Sequence, residues 1–272
     1  MTELNNAVVL LTGATGGFGH ELTQLLLEAG SRVIRTDIDG ALLEQQAEKL
    51  NPDRHSGELL PSFVANLGTA DGCEDLYQNV QALNHPVDIL INNAGIALYG
   101  RMDETPTERW EVMMQLNLLA PMRLSNRFVA DMITRRQGHI VNISSVAGWI
   151  APTGLTGYAA SKFGLRGYSD GVRSEVKDFN IKVTTVYPFF SRTPILNSDS
   201  FGSLAQGKSE LPHWMTTDPH KIMQATLQGV QQNKPEVFPD LPARVLTRIK
   251  RYCPGLLQWT TNQIKRQYQK PS

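Results

Sequence analysis

The sequence predicts an α/β protein built on one doubly wound parallel sheet with helices on both faces. Three observations predict it. Apolar runs of strand length alternate with segments of helical periodicity over residues 5–195. The first run enters a glycine-rich turn that opens directly into a helix. The second run ends in Asp37, 18 residues after the last glycine of that turn.

Residues 7–11 are continuously apolar, as a strand buried on both faces must be. They lead into Thr12-Gly13-Ala14-Thr15-Gly16-Gly17-Phe18-Gly19. Phe18, Leu22, Leu25, Leu26 and Ala29 then recur with helical spacing, closed by Gly30. Glycines let a backbone approach a pyrophosphate, and the helix N-terminus offers unpaired N–H groups to its charge. A P-loop needs Gly-Lys-Ser/Thr, and this turn has no lysine. Residues 32–36 form the second strand, and the carboxylate of Asp37 suits ribose hydroxyls and repels a 2′-phosphate. The reading is NAD over NADP, with Arg35 as a residue that could swing toward a phosphate and Asp37 as a plain turn residue in the competing view.

A helix over 39–51, a strand over 61–65, a capped helix over 69–83 and a strand over 87–91 follow, the last ending in Asn92-Asn93-Ala94-Gly95. Residues 105–136 read as a long helical region with Pro106 near its first turn. Residues 139–143 are a strand that delivers Ser145 to its C-terminal end, where open α/β sheets hold ligands. The helix over 157–177 carries Tyr158-Ala159-Ala160-Ser161-Lys162. Tyr and Lys at i and i+4 share a helix face. A fixed ammonium nearby lowers a phenol's pKa, which suits proton exchange near neutrality. Alone, this spacing is common on solvated helices.

Taken together, Thr12-Gly13…Gly17-Phe18-Gly19, Asn92-Asn93-Ala94-Gly95, Asn117, Ile143-Ser144-Ser145 and Tyr158…Lys162 resemble the short-chain dehydrogenase/reductases, in order and spacing. The resemblance implies a Rossmann-type three-layer domain that moves a hydride between a nicotinamide and an alcohol or ketone. It places the acid–base residues on Asn117, Ser145, Tyr158 and Lys162, with Lys162 also holding the nicotinamide ribose and Asn117 supporting a water relay to Lys162. It places cofactor contacts on Thr12, Gly13, Gly17, Phe18, Gly19, Asp37, Asn66, Leu67, Asn93, Ala94, Gly95, Tyr158, Lys162, Pro188, Ser191 and Thr193. It implies a homodimer or homotetramer formed through the two long helices. Two departures stand out. The family's Pro-Gly after the sixth strand is Pro188-Phe189 here, and an Asp usual near the adenine is Asn66. The rival expectations are an NADPH-dependent carbonyl or oxoacyl reductase and a dinucleotide sensor without turnover.

Residues 191–216 read as a substrate lid whose Ile195, Leu196, Phe201, Leu204, Leu211, Trp214 and Met215 suit an apolar substrate. Asp218-Pro219 starts another helix. The catalytic domain is expected over 1–240. Residues 241–272 form a basic extension with seven Lys or Arg and no acid, leaving the rest of the chain with 19 basic and 26 acidic residues, net −7. Val245, Leu246, Ile249 and Tyr252 mark one apolar helix face. That face either meets a membrane surface or covers the substrate cleft.

Composition adds bounds. With 272 residues, 41% of them hydrophobic, the chain can fill a full core. A formal net charge of zero gives no reason to expect nucleic acid. Cys73 and Cys253, without a C-x-x-C, argue against a disulfide framework or a zinc site and fit a reducing, cytoplasmic setting. The histidines show no metal spacing, no signal peptide is expected, and no apolar run has the length to span a bilayer.

Overall fold

The computed structural model describes residues 1–50, 55–206 and 216–255. In chain order the elements are β1 (Val8–Thr12), α1 (Gly17–Glu28), β2 (Arg32–Asp37), α2 (Gly40–Glu48), β3 (Glu58–Leu59), β4 (Phe63–Val64), α3 (Ala70–Ala82), β5 (Ile89–Asn92) and β6 (Tyr99–Gly100). They continue with α4 (Thr107–Met114), α5 (Ala120–Arg135), β7 (Gly138–Ile143), α6 (Thr156–Val176), β8 (Ile181–Val186), β9 (Ser200–Phe201), α7 (Gly202–Ala205), α8 (Pro219–Gln231), β10 (Glu236–Val237) and α9 (Leu241–Tyr252).

The apolar run of β1 divides between two cores because successive side chains point to opposite faces. Val9 and Leu11 meet Leu22 and Leu26 of α1 and Met223 and Leu227 of α8. Val8 and Leu10 meet Leu76 and Val80 of α3 and Leu124 and Phe128 of α5. Hence the strand is apolar throughout, and the sheet is the middle of three layers. The strand order is β10-β8-β7-β5-β1-β2-β3, with β4 also on β2, and every pairing is parallel. The winding reverses between β1 and β5, so the C-terminal ends of these neighbours open a crevice.

Three elements differ from the sequence expectation. The strand expected over 61–65 is only the short β4; β3 precedes it, and between them lies Pro61, which has no N–H for a ladder. Leu60 N still donates to Val33 O at 2.9 Å and Ala65 N to Asp37 O at 3.0 Å, so β2 keeps its partner. The helical region over 105–136 is interrupted by a π turn, Gln115–Leu119. Its physical cause is Pro121, which has no N–H to return to the carbonyl of Asn117 four residues earlier. Third, the expected lid is not a plain loop. Its described part contains β9 and α7, and β9 pairs with β6, Tyr99 opposite Ser200 and Gly100 opposite Phe201. Leu211, Trp214 and Met215 lie outside the described residues.

At the opposite end of the sheet from the crevice, His139 is 1% exposed. Its Nδ1 pairs with Thr2 Oγ1 and its Nε2 with Thr184 Oγ1, both at 2.8 Å. Thr184 gives its only proton to Lys234 O, so the ring's Nε2–H donates to Thr184. Burial first, then the Lys182 charge, brings the His139 pKa down to about 3. An unfolded histidine titrates near 6.5. Between those values the unfolded chain binds the extra proton, so stability is complete above pH 6.5 and falls as pH drops toward 3. The full linkage is on the order of 5 kcal/mol. Urea melts from pH 7 to pH 4 should therefore show a steeper loss of stability for the wild type than for His139→Gln, and equal slopes would contradict this assignment.

Among the described residues, no helix is long and apolar enough to cross a membrane. Nor do they gather three or more His, Cys, Asp or Glu side chains as a metal would require.

Candidate active site

The crevice is built from backbone and small side chains. Thr12, 2% exposed at the end of β1, accepts from Asn93 N and Ala94 N at 3.0 Å each. The Asn93 amide answers by donating to Thr12 O at 3.0 Å and Gly13 O at 2.9 Å. Those four bonds lock the β1 and β5 exits together. Gly13 has φ +65°, and a Cβ there would lie 2.6 Å from Ala94 Cα. A Cβ on Gly17 would meet Thr193 at 2.6 Å, and one on Gly19 would strike the backbone of Gly13 and Ala14. Glycine is needed at these positions by contact, not by turn preference alone. Phe18 packs, half-buried, on the core under α1. The helix starts at Gly17 without a side-chain cap and without an acid in its first turn. Its first N–H groups are open to an anion. A Cβ-free cradle ending in an uncapped helix fits a dinucleotide pyrophosphate.

Asp37 closes the cradle on one side. Its carboxylate accepts from Thr15 N at 2.9 Å, Thr15 Oγ1 at 2.7 Å and Ile38 N at 2.8 Å. Thr15 thus belongs to the site, although sequence reading passed over it. Ile38 and Val64 stand 66% and 65% exposed, on either side of the Asp37–Val64 register pair. Arg35 corrects the sequence expectation of a mobile cation. It is 1% exposed and donates to Leu43 O at 3.0 Å and Ser62 Oγ at 3.3 Å. Burial lowers its pKa, and the side chain spans from β2 to α2 instead of reaching outward. Asn66 is exposed and accepts from Gly68 N at 3.0 Å, while the Leu67 side chain lies in the core, 4% exposed.

The four acid–base candidates arrive from β7, the π turn and α6. Ser144 and Ser145 separate by role. Ser144 Oγ donates to Lys162 O at 3.1 Å and ties β7 to α6. Ser145 Oγ accepts from Ala147 N at 3.0 Å and is hydrogen-bonded to the Tyr158 phenol. Asn117, 0% exposed, accepts from Ile96 N and donates to Ile96 O, both at 2.9 Å. It also donates to Ser161 Oγ at 3.2 Å, so its side chain clamps the loop after β5 to α6. A Cβ on Gly95 would sit 3.0 Å from Asn117 Oδ1 and 3.6 Å from Lys162 Nζ, which places all three together.

Lys162 is 4% exposed, and its Nζ donates to Ile143 O at 2.9 Å. Burial brings it down to about 8. Nζ stands 5.7 Å from the centroid of the Tyr158 ring, over its face. Here the structure corrects the electrostatic expectation. Burial dominates and pushes Tyr158 up to about 12, with hydrogen bonding to Ser145 pulling the other way. At neutral pH the phenol therefore holds its proton and the ammonium its charge.

The segment after β8 covers this ground. Pro188 O accepts from Val146 N at 3.0 Å, beside Ser145. Ser191 Oγ donates to Thr217 O at 3.0 Å, and Thr193 rests on Gly17. The described part of the segment after Thr193 is tied to residues 99–109. Arg109 pairs with Asp199, and Glu104 accepts from Ser203 N at 2.7 Å and Ser203 Oγ at 2.9 Å. A small cavity lined by Leu98, Met102, Trp110 and Met113 lies beside Gly157, the neighbour of Tyr158. Leu98, Met102 and Trp110 carried no sequence signal, because β6–β9 pairing brings them into place.

A dinucleotide cradle at the switch point, with a Tyr–Lys pair on the adjoining helix, defines a dinucleotide-dependent oxidoreductase scaffold. Residues 7–201 match the short chain dehydrogenase family, and the chain belongs to that family. It is 30% identical over 264 residues to the dehydrogenase/reductase SDR family protein 7-like protein of Drosophila melanogaster, covering 94% of this chain and 80% of that one. A short-chain dehydrogenase from Streptomyces avermitilis superposes with a TM-score of 0.79 at 25% identity, covering 98% of this chain and 99% of that one. A second, from Sphingobium yanoikuyae in complex with NADPH, gives 0.77 at 25% identity over 93% and 95% of the two chains.

Proposed function

We propose that the protein interconverts an apolar secondary alcohol and its ketone, with NAD as cofactor. The observation that carries this reading is the Ser145–Tyr158 pair at the end of β7, facing the loop after β5 with the buried Lys162 behind it. The nicotinamide supplies or takes the hydride. Everything else is work for the chain. Tyr158, protonated in the resting protein, gives its proton to the substrate oxygen during reduction and takes it back during oxidation. The Ser145 hydroxyl orients that oxygen. Lys162 contributes a fixed charge at neutral pH and a donor for a ribose. The Asn117 side chain holds residues 95–96 and α6 in register close to Lys162, where it supports a water relay to that lysine. Thr12, Gly13, Gly17, Phe18, Gly19, Asn93, Ala94 and Gly95 shape the pyrophosphate and nicotinamide ends. Pro188, Ser191 and Thr193 close over the nicotinamide, and Asn66 and Leu67 bound the adenine end through their backbone. Phe189 in place of a glycine makes the substrate side more apolar.

Asp37 supports NAD over NADP. Its carboxylate at the end of β2 would accept from ribose hydroxyls and repel a 2′-phosphate, and exposed Ile38 and Val64 would offer apolar surface to an adenine. Arg35 is buried away from that position. Asp37→Ser should lower kcat/KM for NAD by roughly tenfold or more and raise it for NADP, as expected for a lost charge-assisted bond and a relieved repulsion. A wild type that prefers NADP would overturn the assignment.

A homodimer or homotetramer is part of the same proposal. On α6, Phe163 is 40% exposed, and nothing lies within 4 Å of a Cβ built on Gly167 or Gly171. The open i, i+4, i+8 face suits close helix packing with a second copy. A reducing, cytoplasmic setting is supported by Cys73 and Cys253 both being free thiols.

A further inference from the structure

The burial pattern of α9 does not follow its apolar pattern. The face turned to the domain is Ala243 and Thr247, small residues set against the turn Val146–Gly148 that follows Ser145. Leu246 and Ile249 are half-buried at the sides. Leu241, Val245 and Tyr252 point outward and are 70%, 44% and 73% exposed. At 100° per residue these three fall within a narrow stripe. Arg248 lies within that stripe's margin, and Arg244 and Arg251 line one side, all exposed. The sequence beyond α9, outside the described residues, adds Lys265, Arg266 and Lys270 and no acid. The remainder of the chain is net −7.

We propose that the outer face of α9 is a docking surface for an anionic lipid bilayer. Charge decides among the occupants. A second copy packed α9 to α9 would oppose arginine to arginine across a two-fold axis. A nucleic acid would use the arginines but leave Leu241 and Val245 in water with nothing to bury them. An anionic interface takes both: the aliphatic side chains enter the headgroup boundary and the guanidinium groups meet lipid phosphates. The acidic remainder of the chain is repelled by the same surface, which fixes orientation with α9 down.

The docking face is attached to the site. Asp240, the N-cap of α9, is 6% exposed and accepts from Ala243 N at 2.8 Å and from Phe189 N at 3.0 Å. The same helix rests on the turn after Ser145. Docking therefore presents the Phe189 side of the crevice to the bilayer, where an apolar substrate concentrates. That consequence rests on the function proposed above; the docking itself does not.

The test is co-sedimentation of the full chain with sucrose-loaded vesicles. At low salt the wild type should pellet with phosphatidylcholine vesicles containing phosphatidylserine, and high salt should release it. Pure phosphatidylcholine should leave it in the supernatant. Arg248→Glu/Arg251→Glu should weaken binding at least about thirtyfold, from the loss of two near-surface cations. Neither side chain is needed for folding, so its melting temperature should match the wild type. Val245→Ser should weaken binding to the anionic vesicles at low salt. The proposal is overturned if the wild type stays in the supernatant with anionic vesicles. It is equally overturned if the double charge reversal still pellets, or if Val245→Ser lowers the oligomer mass in solution, which would make the stripe a contact between copies. None of these readouts requires turnover.

Discussion

Tyr158→Phe should lose at least about a hundredfold in kcat while keeping its affinity for the dinucleotide. The substitution removes the phenol proposed to hand a proton to a substrate oxygen beside Ser145 and leaves the ring, which Lys162 Nζ faces at 5.7 Å, in place. The α6 backbone is unaffected, because Ser161 Oγ bonds to the Tyr158 carbonyl and not to its side chain. The pH profile should change as well. With Tyr158 near 12 and Lys162 near 8, ketone reduction by the wild type should hold at neutral pH and fall as Lys162 loses its charge above pH 8. Residual activity of the Phe variant should lack the phenol's contribution at any pH. Steady-state reduction of apolar ketones, with dinucleotide affinity followed by fluorescence, measures both effects. Near-normal turnover by Tyr158→Phe would remove the phenol from the chemistry.

Gly13→Ala carries the second large effect. At φ +65° any side chain costs about 1–2 kcal/mol. The added Cβ would also meet Ala94 Cα at 2.6 Å, and both groups belong to backbone locked by Thr12 and Asn93. Relief requires parting the β1 and β5 exits, which is the crevice itself. The variant should melt several degrees lower and bind dinucleotide at least about tenfold more weakly, for a loss of that size at the site. Gly16→Ala is the internal control. Its φ is −68° and its Cβ would lie 3.4 Å from Gly13 O, so it should fold and bind nearly as the wild type does. Equal damage by both substitutions, or by neither, would mean that the cradle does not hold the dinucleotide.

These two positions were legible in the sequence for different reasons. Gly13, Gly17 and Gly19 are read easily because a strand, a tight turn and a helix start lie within one short stretch, although Ala94 and Thr193, which crowd Gly13 and Gly17, come from far along the chain. Tyr158 and Lys162 were legible as a spacing, but not their electrostatics. Burial depends on what covers α6, and it raises the phenol's pKa against the lowering effect of the Ser145 hydrogen bond. The π turn at Gln115–Leu119 had a signal in Pro121, four residues after Asn117, that the helical periodicity masked. Arg35 read as a free cation because nothing local says that Leu43 O and Ser62 Oγ will enclose it. On α9 the apolar pattern left open which face is covered: Val245 and Tyr252 are exposed, while Leu246 and Ile249 are half-buried. The helix contacts the turn at Val146–Gly148 and buries Ala243 and Thr247, and that contact is with residues almost a hundred positions earlier. The small sheet of Ser200–Phe201 with Tyr99–Gly100 is likewise a long-range fact.

Hydride transfer measured directly is the decisive test of the proposed chemistry. The purified full-length protein is mixed with NAD and a panel of apolar secondary alcohols, and with NADH and the matching ketones, and reduced nicotinamide is followed by its absorbance. NADP and NADPH run in parallel, and Tyr158→Phe serves as the matched control. The expected result is turnover of at least one apolar pair, faster with NAD than with NADP and abolished in the Phe variant. Tight dinucleotide binding without turnover of any pair, or turnover that survives in Tyr158→Phe, would contradict it.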